Sequence, residues 1–157
     1  NLFIGTNNNK VWRIAVLDVN PTDETNIKFR FNSLIQQFVN NKRYLEKADS
    51  IVAKYSIPKD EDISYEITVR NKRYEAVFYQ KTEKYDSLTK EKDFLHAKDK
   101  LNDKEREKFG DLIVDIFKES LNSLNKLVWF TIKKDYNEYR ILMYYENEYN
   151  KANGEGL

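Results

Sequence analysis

The sequence predicts an α+β domain with a mainly antiparallel sheet of about six strands (three hairpins) and two long amphipathic helices packed on it. Segments that alternate like strands come in pairs joined by short polar turns, and segments with helical periodicity lie between the pairs. Hairpins between helices, rather than single strands, favour antiparallel pairing. We expect residues 1–157 to form a single domain with its own core.

The first predicted hairpin lies at the start of the chain. Residues 2–4 form a short apolar run, and residues 6–9 have the composition of a turn. Residues 11–19 then alternate in the manner of a strand, and Pro21 follows as a breaker. These features predict two paired strands.

A long helix is expected next. Ile27, Phe29 and Phe31 alternate, which predicts an extended segment before it. From Phe31 the period becomes helical, and we predict one long helix over residues 31–55, or two with a joint near residues 40–41.

The second predicted hairpin covers residues 63–80. Ile63, Tyr65, Ile67 and Val69 alternate with polar residues, which predicts a half-buried strand. A tight turn at Asn71 would return the chain along the second strand. After it, residues 81–101 form a charged linker or short helix, and residues 147–157 form a polar C-terminal tail.

The second long helix has the clearest pattern in the chain. Its apolar residues follow helical spacing and form one stripe: Phe109, Leu112, Ile113, Ile116, Phe117, Leu121 and Leu124. Asn102 is the predicted N-cap, with Glu105 at the capping-box position. Gly110 lies inside the helix at a cost of about 1 kcal/mol against alanine, which a close backbone contact would explain.

The third predicted hairpin follows this helix directly. Residues 127–132 and 139–145 are short runs rich in strand-forming residues, joined by a polar loop. Trp129 and Thr131 point to one side, and Val128, Phe130 and Ile132 to the other. Strands that are apolar on both faces usually lie in the middle of a sheet and are covered on both sides, so we expect this hairpin at the centre.

Composition argues against some partners and excludes some chemistries. Lys and Arg total 27 against 26 Asp and Glu, which gives a net charge of +1 and argues against nucleic acid as the partner. Cysteine is absent, which excludes thiol catalysis and cysteine-ligated metals. No apolar run approaches the roughly 18 residues of a membrane span. We expect a soluble protein, either cytoplasmic or exported after removal of a signal that this chain does not contain.

Recognisable catalytic patterns are missing. His96 is the single histidine, and no serine stands in a G-x-S-x-G turn. The segment that begins at Asp18 resembles the D-x-D-x-T loop of haloacid-dehalogenase-type phosphatases, but Asn20 replaces the second aspartate. Glu75 lacks the E-x-K spacing of PD-(D/E)xK nucleases, since residue 77 is valine. We expect no cofactor and no metal site, and the sequence favours a binding domain over an enzyme.

Aromatic residues concentrate at the third hairpin. Tyrosine and tryptophan are amphipathic and are enriched in binding surfaces. The candidate binding residues are Trp129, Phe130, Tyr139, Arg140, Tyr144 and Tyr145. The expected partner is another protein or a second copy of the chain. The alternative is a small-ligand-binding protein or enzyme with a cavity between sheet and helices.

Overall fold

The structure is a computed structural model that describes residues 1–46 and 56–152. The strands are β1 (Leu2–Asn7), β2 (Lys10–Leu17), β3 (Tyr44–Glu46), β4 (Glu75–Gln80), β5 (Lys126–Asp135) and β6 (Glu138–Asn147). The helices are α1 (Glu24–Asn40), α2 (Ile63–Thr68), α3 (Glu83–His96), α4 (Asp103–Ser123) and α5 (Glu148–Ala152).

The six strands form one sheet in the order β1-β2-β6-β5-β4-β3, and every neighbouring pair is antiparallel. The predicted α+β fold with an antiparallel sheet and packed helices is confirmed. The first and third predicted hairpins are β1–β2 and β5–β6. The third hairpin lies in the middle of the sheet, as its apolar sequence predicted.

One face of the sheet packs against α1 and forms the core, and we call it the covered face. Its buried residues from the central strands are Ala76, Phe78, Val128, Phe130, Ile132, Tyr139 and Ile141. From α1, Ile27, Phe31, Ile35 and Phe38 are buried against them, at the helical spacing i, i+4, i+8 and i+11. The ring centroids of Phe31 and Phe130 are 5.2 Å apart at an interplanar angle of 70°. Such edge-to-face contacts stabilise a core beyond simple burial.

The beginning of α1 corrects the prediction of an extended segment before residue 31. Asp23 caps the helix by accepting a hydrogen bond from the Asn26 amide at 2.8 Å. Ile27 and Phe31 are both buried, while Phe29 is 72% exposed. Residues four apart share a face in a helix and also in a strand. The spacing of Ile27, Phe29 and Phe31 therefore fits both a strand and a helix, and the N-cap at Asp23 begins a helix there.

The second predicted hairpin is wrong for the same reason. Residues 63–68 form helix α2, because the Asp62 side chain caps it by accepting from the Tyr65 amide at 2.8 Å. Ile63 is buried and Ile67 packs against the core, again four residues apart. Tyr65 and Val69, which a half-buried strand would cover, are exposed. The neighbours of β4 in the sheet are β3 and β5 instead.

The long predicted helix over residues 31–55 is also corrected in part. Helix α1 ends at Asn40, close to the expected joint, and the chain then enters strand β3 where helix was predicted. A three-residue edge strand lacks the length to show a two-residue period in sequence. The remainder of that prediction, residues 47–55, lies outside the described residues.

Helices α3 and α4 pack against each other beside the sheet. The predicted capping box of α4 is confirmed, with Asn102 and Glu105 hydrogen-bonded to each other's backbone amides at 3.0 Å. Leu112 is buried, and Glu119 receives a hydrogen bond from the Thr82 hydroxyl at 2.8 Å. Much of the predicted apolar stripe, however, is exposed: Ile113, Phe117, Leu121 and Leu124.

The C-terminal segment folds back on the first hairpin. Helix α5 packs on β2, and the Asn7 side chain donates to the Lys151 carbonyl oxygen at 2.9 Å. The Asn150 side chain donates to the Val11 carbonyl oxygen at 2.7 Å. The last part of the expected polar tail, residues 153–157, lies outside the described residues.

Candidate functional site

The face of the sheet opposite α1, which we call the open face, carries the candidate site. Side chains alternate along each strand, so the register fixes which residues share this face. Its large apolar side chains all retain some exposure: Leu17, Val77, Tyr79, Leu127, Trp129, Leu142 and Tyr144. Its small residues Ala15 and Thr131 are buried between them. The sequence had predicted full cover on this side of the central hairpin.

Trp129 and Tyr144 form the centre of the open face. They stand directly opposite each other on β5 and β6. Their ring centroids are 4.1 Å apart at an interplanar angle of 20°, so the two rings are stacked. Cross-strand aromatic pairs of this kind stabilise a sheet by about 0.2–1 kcal/mol, and they hold both rings in one orientation.

A charged pair borders this stack. Arg13 on β2 stands opposite Glu146 on β6, with Nε 2.7 Å and Nη2 2.6 Å from Glu146 Oε1. The indole N–H of Trp129 donates to the other oxygen, Oε2, at 3.2 Å. The Glu146 side chain is only 7% exposed, and both of its oxygens are satisfied. Hydrogen bonding to a buried charge offsets the cost of its desolvation.

The Arg13 guanidinium also joins the aromatic rings. Its Cζ lies 4.4 Å from the centroid of Trp12 and 5.3 Å from that of Tyr144, within cation–π range. Arg13, Trp12, Trp129, Tyr144 and Glu146 therefore form one connected cluster, which we call the aromatic cluster. It is built from the β5–β6 hairpin and from β2, which the fold places beside β6.

A bulge in β2 places Trp12 in this cluster. The register shifts between Gly5 and Thr6, so that Gly5 is paired with Arg13, Thr6 with Val11, and Trp12 is the extra residue. A Cβ on Gly5 would lie 3.2 Å from two atoms of the Trp12 ring. Glycine at this position therefore lets the indole lie close against β1.

The structure divides the six candidate binding residues between two environments. Trp129 and Tyr144 lie in the aromatic cluster, and Arg140 lies on the same face, opposite Lys133. The Arg140 guanidinium donates to the Val19 carbonyl oxygen at 3.2 Å, so it also fastens the β2–α1 loop. Phe130, Tyr139 and Tyr145 are on the covered face.

The covered-face residues differ in how far they are buried. Phe130 is fully buried in the core. Tyr139 is almost completely buried, and its hydroxyl lies 3.5 Å from Glu24 Oε2. Burial raises the pKa of the Tyr139 hydroxyl. Tyr145 is 36% exposed beside Ile14 and Val128. Phe130 and Tyr139 are therefore structural residues, and neither is placed to meet a partner.

Sequence reasoning missed Trp12 and Arg13. Arg13 interrupts an otherwise apolar strand of residues 11–17, and a charged residue inside such a run was the available signal. Its pairing with Glu146, 133 positions away, depends on the strand order. Sequence alone does not give that order.

Two polar groups near α2 combine residue types that occur in catalytic sites. Glu61 accepts hydrogen bonds from the Lys72 ammonium and the Tyr74 hydroxyl. Burial opposes ionisation of Glu61, but these two donors outweigh it and lower its pKa. Burial, reinforced by the neighbouring Glu61 carboxylate, raises the pKa of Tyr74. The Glu61–Lys72 ion pair and the hydrogen bond from Tyr74 are structural contacts that join the residue before the Asp62 N-cap of α2 to the segment that leads into β4.

Ser64 and Lys134 form the second polar group. The Lys134 ammonium donates to the Ser64 hydroxyl at 2.7 Å, which is the contact of a serine–lysine pair. Catalysis would also need an adjoining cavity and donors for an oxyanion. Neither residue lines the cavities described below, and His96 is remote from both in sequence, at the end of α3 beside Phe109.

Two open cavities lie along α1. One has a volume of about 730 Å³ and lies between α1 and residues 56–59, with Phe29, Asn32 and Ile57 in its lining. The other has about 460 Å³, lies between α1 and strands β2 and β6, and is bordered by the ion pair of Asp18 with Arg30 at 2.9 Å. Asp18 begins the segment that resembles the phosphatase loop, and its carboxylate forms an ion pair with Arg30.

Within residues 1–46 and 56–152, no group of three or more His, Cys, Asp or Glu side chains is arranged to hold a metal ion. Among the helices of that same part of the chain, none is long and apolar enough to cross a membrane. No protein-family model, curated protein or solved structure matches this chain.

Proposed function

We propose that this chain is a non-enzymatic binding domain that holds another protein on the open face of its sheet. The supporting observation is the aromatic cluster, in which two tryptophans, a tyrosine and an arginine are connected at the surface. Trp, Tyr and Arg are the residue types that dominate binding energy in protein interfaces, usually near the interface centre.

The geometry of the cluster suits recognition. Trp129 and Tyr144 are held by stacking, and Arg13 is held by its ion pair with Glu146. Side chains that are ordered before binding lose less conformational entropy when a partner covers them. The partly exposed apolar residues around the cluster, such as Val77 and Leu142, would exclude water from its edges.

The test is affinity capture from a lysate of the native source with matched variants. Tyr144→Asp places a charge in the cluster. Tyr136→Asp makes the same change in the β5–β6 turn, where the side chain is 92% exposed and φ is 53°, a conformation that aspartate tolerates. We expect a stoichiometric protein to be retained by the wild type and by Tyr136→Asp and lost with Tyr144→Asp, while thermal melting shows that all three are folded.

Other outcomes would overturn the proposal. Capture of the same proteins by all three chains would show that the open face is not the binding surface. Loss of every partner after nuclease treatment would identify single-stranded nucleic acid, which also stacks on exposed aromatic rings.

A small apolar ligand is the second candidate, favoured by the 730 Å³ cavity beside α1. Its volume is within the range of about 300–1,000 Å³ for ligand sites, and Phe29 offers an exposed ring to it. A thermal-shift screen against small apolar molecules tests this candidate. A stabilising ligand should lose its effect with Phe29→Ala and keep it with Tyr136→Asp.

A further inference from the structure

We infer that helix α4 is a self-association surface on which a second copy of this chain packs its own α4 in the antiparallel direction. The starting point is the exposed apolar stripe of α4, which is distinct from the open face of the sheet. Ile113, Val114, Phe117, Leu121 and Leu124 are each about half exposed or more, and Phe117 reaches 64%. Contiguous exposed apolar residues of this kind mark interaction sites.

Gly110 lies in the same stripe and supplies a gap. It is seven residues before Phe117, which is close to two helical turns, so both lie on one side of α4. A Cβ built on Gly110 meets nothing within 4 Å. The chain's own fold therefore does not require glycine there, although glycine costs a helix about 1 kcal/mol against alanine.

The stripe is complementary to itself. A two-fold axis that passes between Ile113 and Val114 brings Phe117 of each chain opposite Gly110 of the other. The most exposed ring of the stripe thus meets the one position without a side chain. In a two-fold interface each contact occurs twice. The Phe117 ring of each chain would therefore fill the gap at Gly110 of the other.

Charges beside the stripe agree with the same axis. Glu107, Asp111 and Lys118 are exposed and are spaced i, i+4 and i+11, so they form one row along α4. The two-fold axis places this row beside its own copy running in the opposite direction. Lys118 then lies between Glu107 and Asp111 of the second copy, displaced from each by about 3 Å along the helix.

The 21-residue helix is about 31 Å long. A single helix pair of that length gives a small interface, typical of weak and reversible association. We therefore expect a dimer with a dissociation constant in the micromolar range.

Analytical ultracentrifugation of the full chain, from about 1 µM to 1 mM, tests the inference. We expect a monomer–dimer equilibrium for the wild type. Gly110→Leu should fill the gap, raise the melting temperature of the chain and weaken the dimer at least tenfold. Phe94→Ala removes an equally exposed ring from α3 and should leave the dimer unchanged.

Charge reversal gives an independent test of the antiparallel arrangement. Lys118→Glu should weaken the dimer, and adding Glu107→Lys and Asp111→Lys in the same chain should restore it. A wild type that remains monomeric at 1 mM would overturn the inference. So would a dimer that is unaffected by Gly110→Leu, or a triple variant that fails to recover association.

Discussion

The two faces of the β5–β6 hairpin are built from similar residues and have different surroundings. Phe130 and Ile141 on the covered face are buried against α1. Trp129 is the neighbour of Phe130 in sequence, and Tyr144 is the neighbour of Tyr145. Both Trp129 and Tyr144 remain half-buried on the open face. The covered face has purely apolar side chains at its centre, whereas the open face combines aromatic rings with the Arg13–Glu146 ion pair.

Under the proposed function, a strand pair that is apolar on both sides would serve two purposes. Apolar burial without polar atoms stabilises the fold. Large rings whose N–H and O–H groups reach polar partners are suited to surfaces from which a bound protein displaces water. Mutations on the two faces should therefore affect different measurements, and the following four predictions run from the largest expected change in stability to the smallest.

Phe130→Ala should cause the largest loss of stability. The ring is fully buried and contacts Phe31, Phe38 and Phe78. Removing such a ring leaves a cavity and costs about 3–5 kcal/mol of the free energy of unfolding. Urea denaturation measures this loss, and a cost below about 1 kcal/mol would contradict the assignment of this face as the core.

Glu146→Ala should be the next most harmful change. It leaves the Arg13 guanidinium and the Trp129 indole N–H without their acceptor, at about 1–3 kcal/mol. Arg13→Ala should lower the free energy of unfolding by less in the Glu146→Ala variant than in the wild-type chain, because the variant has already lost the ion pair. Strict additivity of the two changes in denaturation experiments would show that the pair does not interact.

Tyr144→Ala should destabilise the chain by less than Phe130→Ala. Its stacking on Trp129, a cross-strand aromatic pair, contributes about 0.2–1 kcal/mol. Trp129 fluorescence should shift to longer wavelength as water reaches the indole. An unchanged emission spectrum would contradict the stacked geometry.

Glu61→Gln should change how stability depends on pH more than it changes the stability at the optimal pH. Burial opposes ionisation of Glu61, but hydrogen bonds from Lys72 and Tyr74 outweigh it and lower the folded-state pKa of Glu61 below its ordinary value of 4.5. Its stabilising contribution is therefore complete above about pH 4.5 and is lost as the pH falls through the folded-state pKa. The variant should show a shallower decline of melting temperature below pH 4.5, and a decline as steep as that of the wild type would refute the shift.

The sequence predicted two of the three hairpins and helix α4, but it predicted strands where α1 begins and where α2 lies. Two hairpins and the α4 capping box were predicted because their signals are local, such as the strand-forming apolar run of residues 127–132 and the pair Asn102 and Glu105. Segments with apolar residues four apart, as at Ile27 and Phe31, fit both periods, and there the predicted strand was wrong.

The candidate site was only half predictable. The concentration of aromatics in β5 and β6 identified Trp129 and Tyr144, but it equally selected Phe130 and Tyr139, which are buried. Which face is covered depends on where α1 packs. Arg13 joins the cluster through the pairing of β2 with β6, a long-range contact that no local pattern encodes.

Hydroxyl-radical footprinting of the free and partner-bound chain would test the assignment of the open face most directly. We expect binding to protect Trp12, Trp129 and Tyr144 from oxidation, while Tyr136 in the β5–β6 turn and Phe29 on α1 react as before. Protection of Phe29 or Tyr136 with unchanged reactivity at Trp129 and Tyr144 would contradict the account, and would place the binding surface away from the open face.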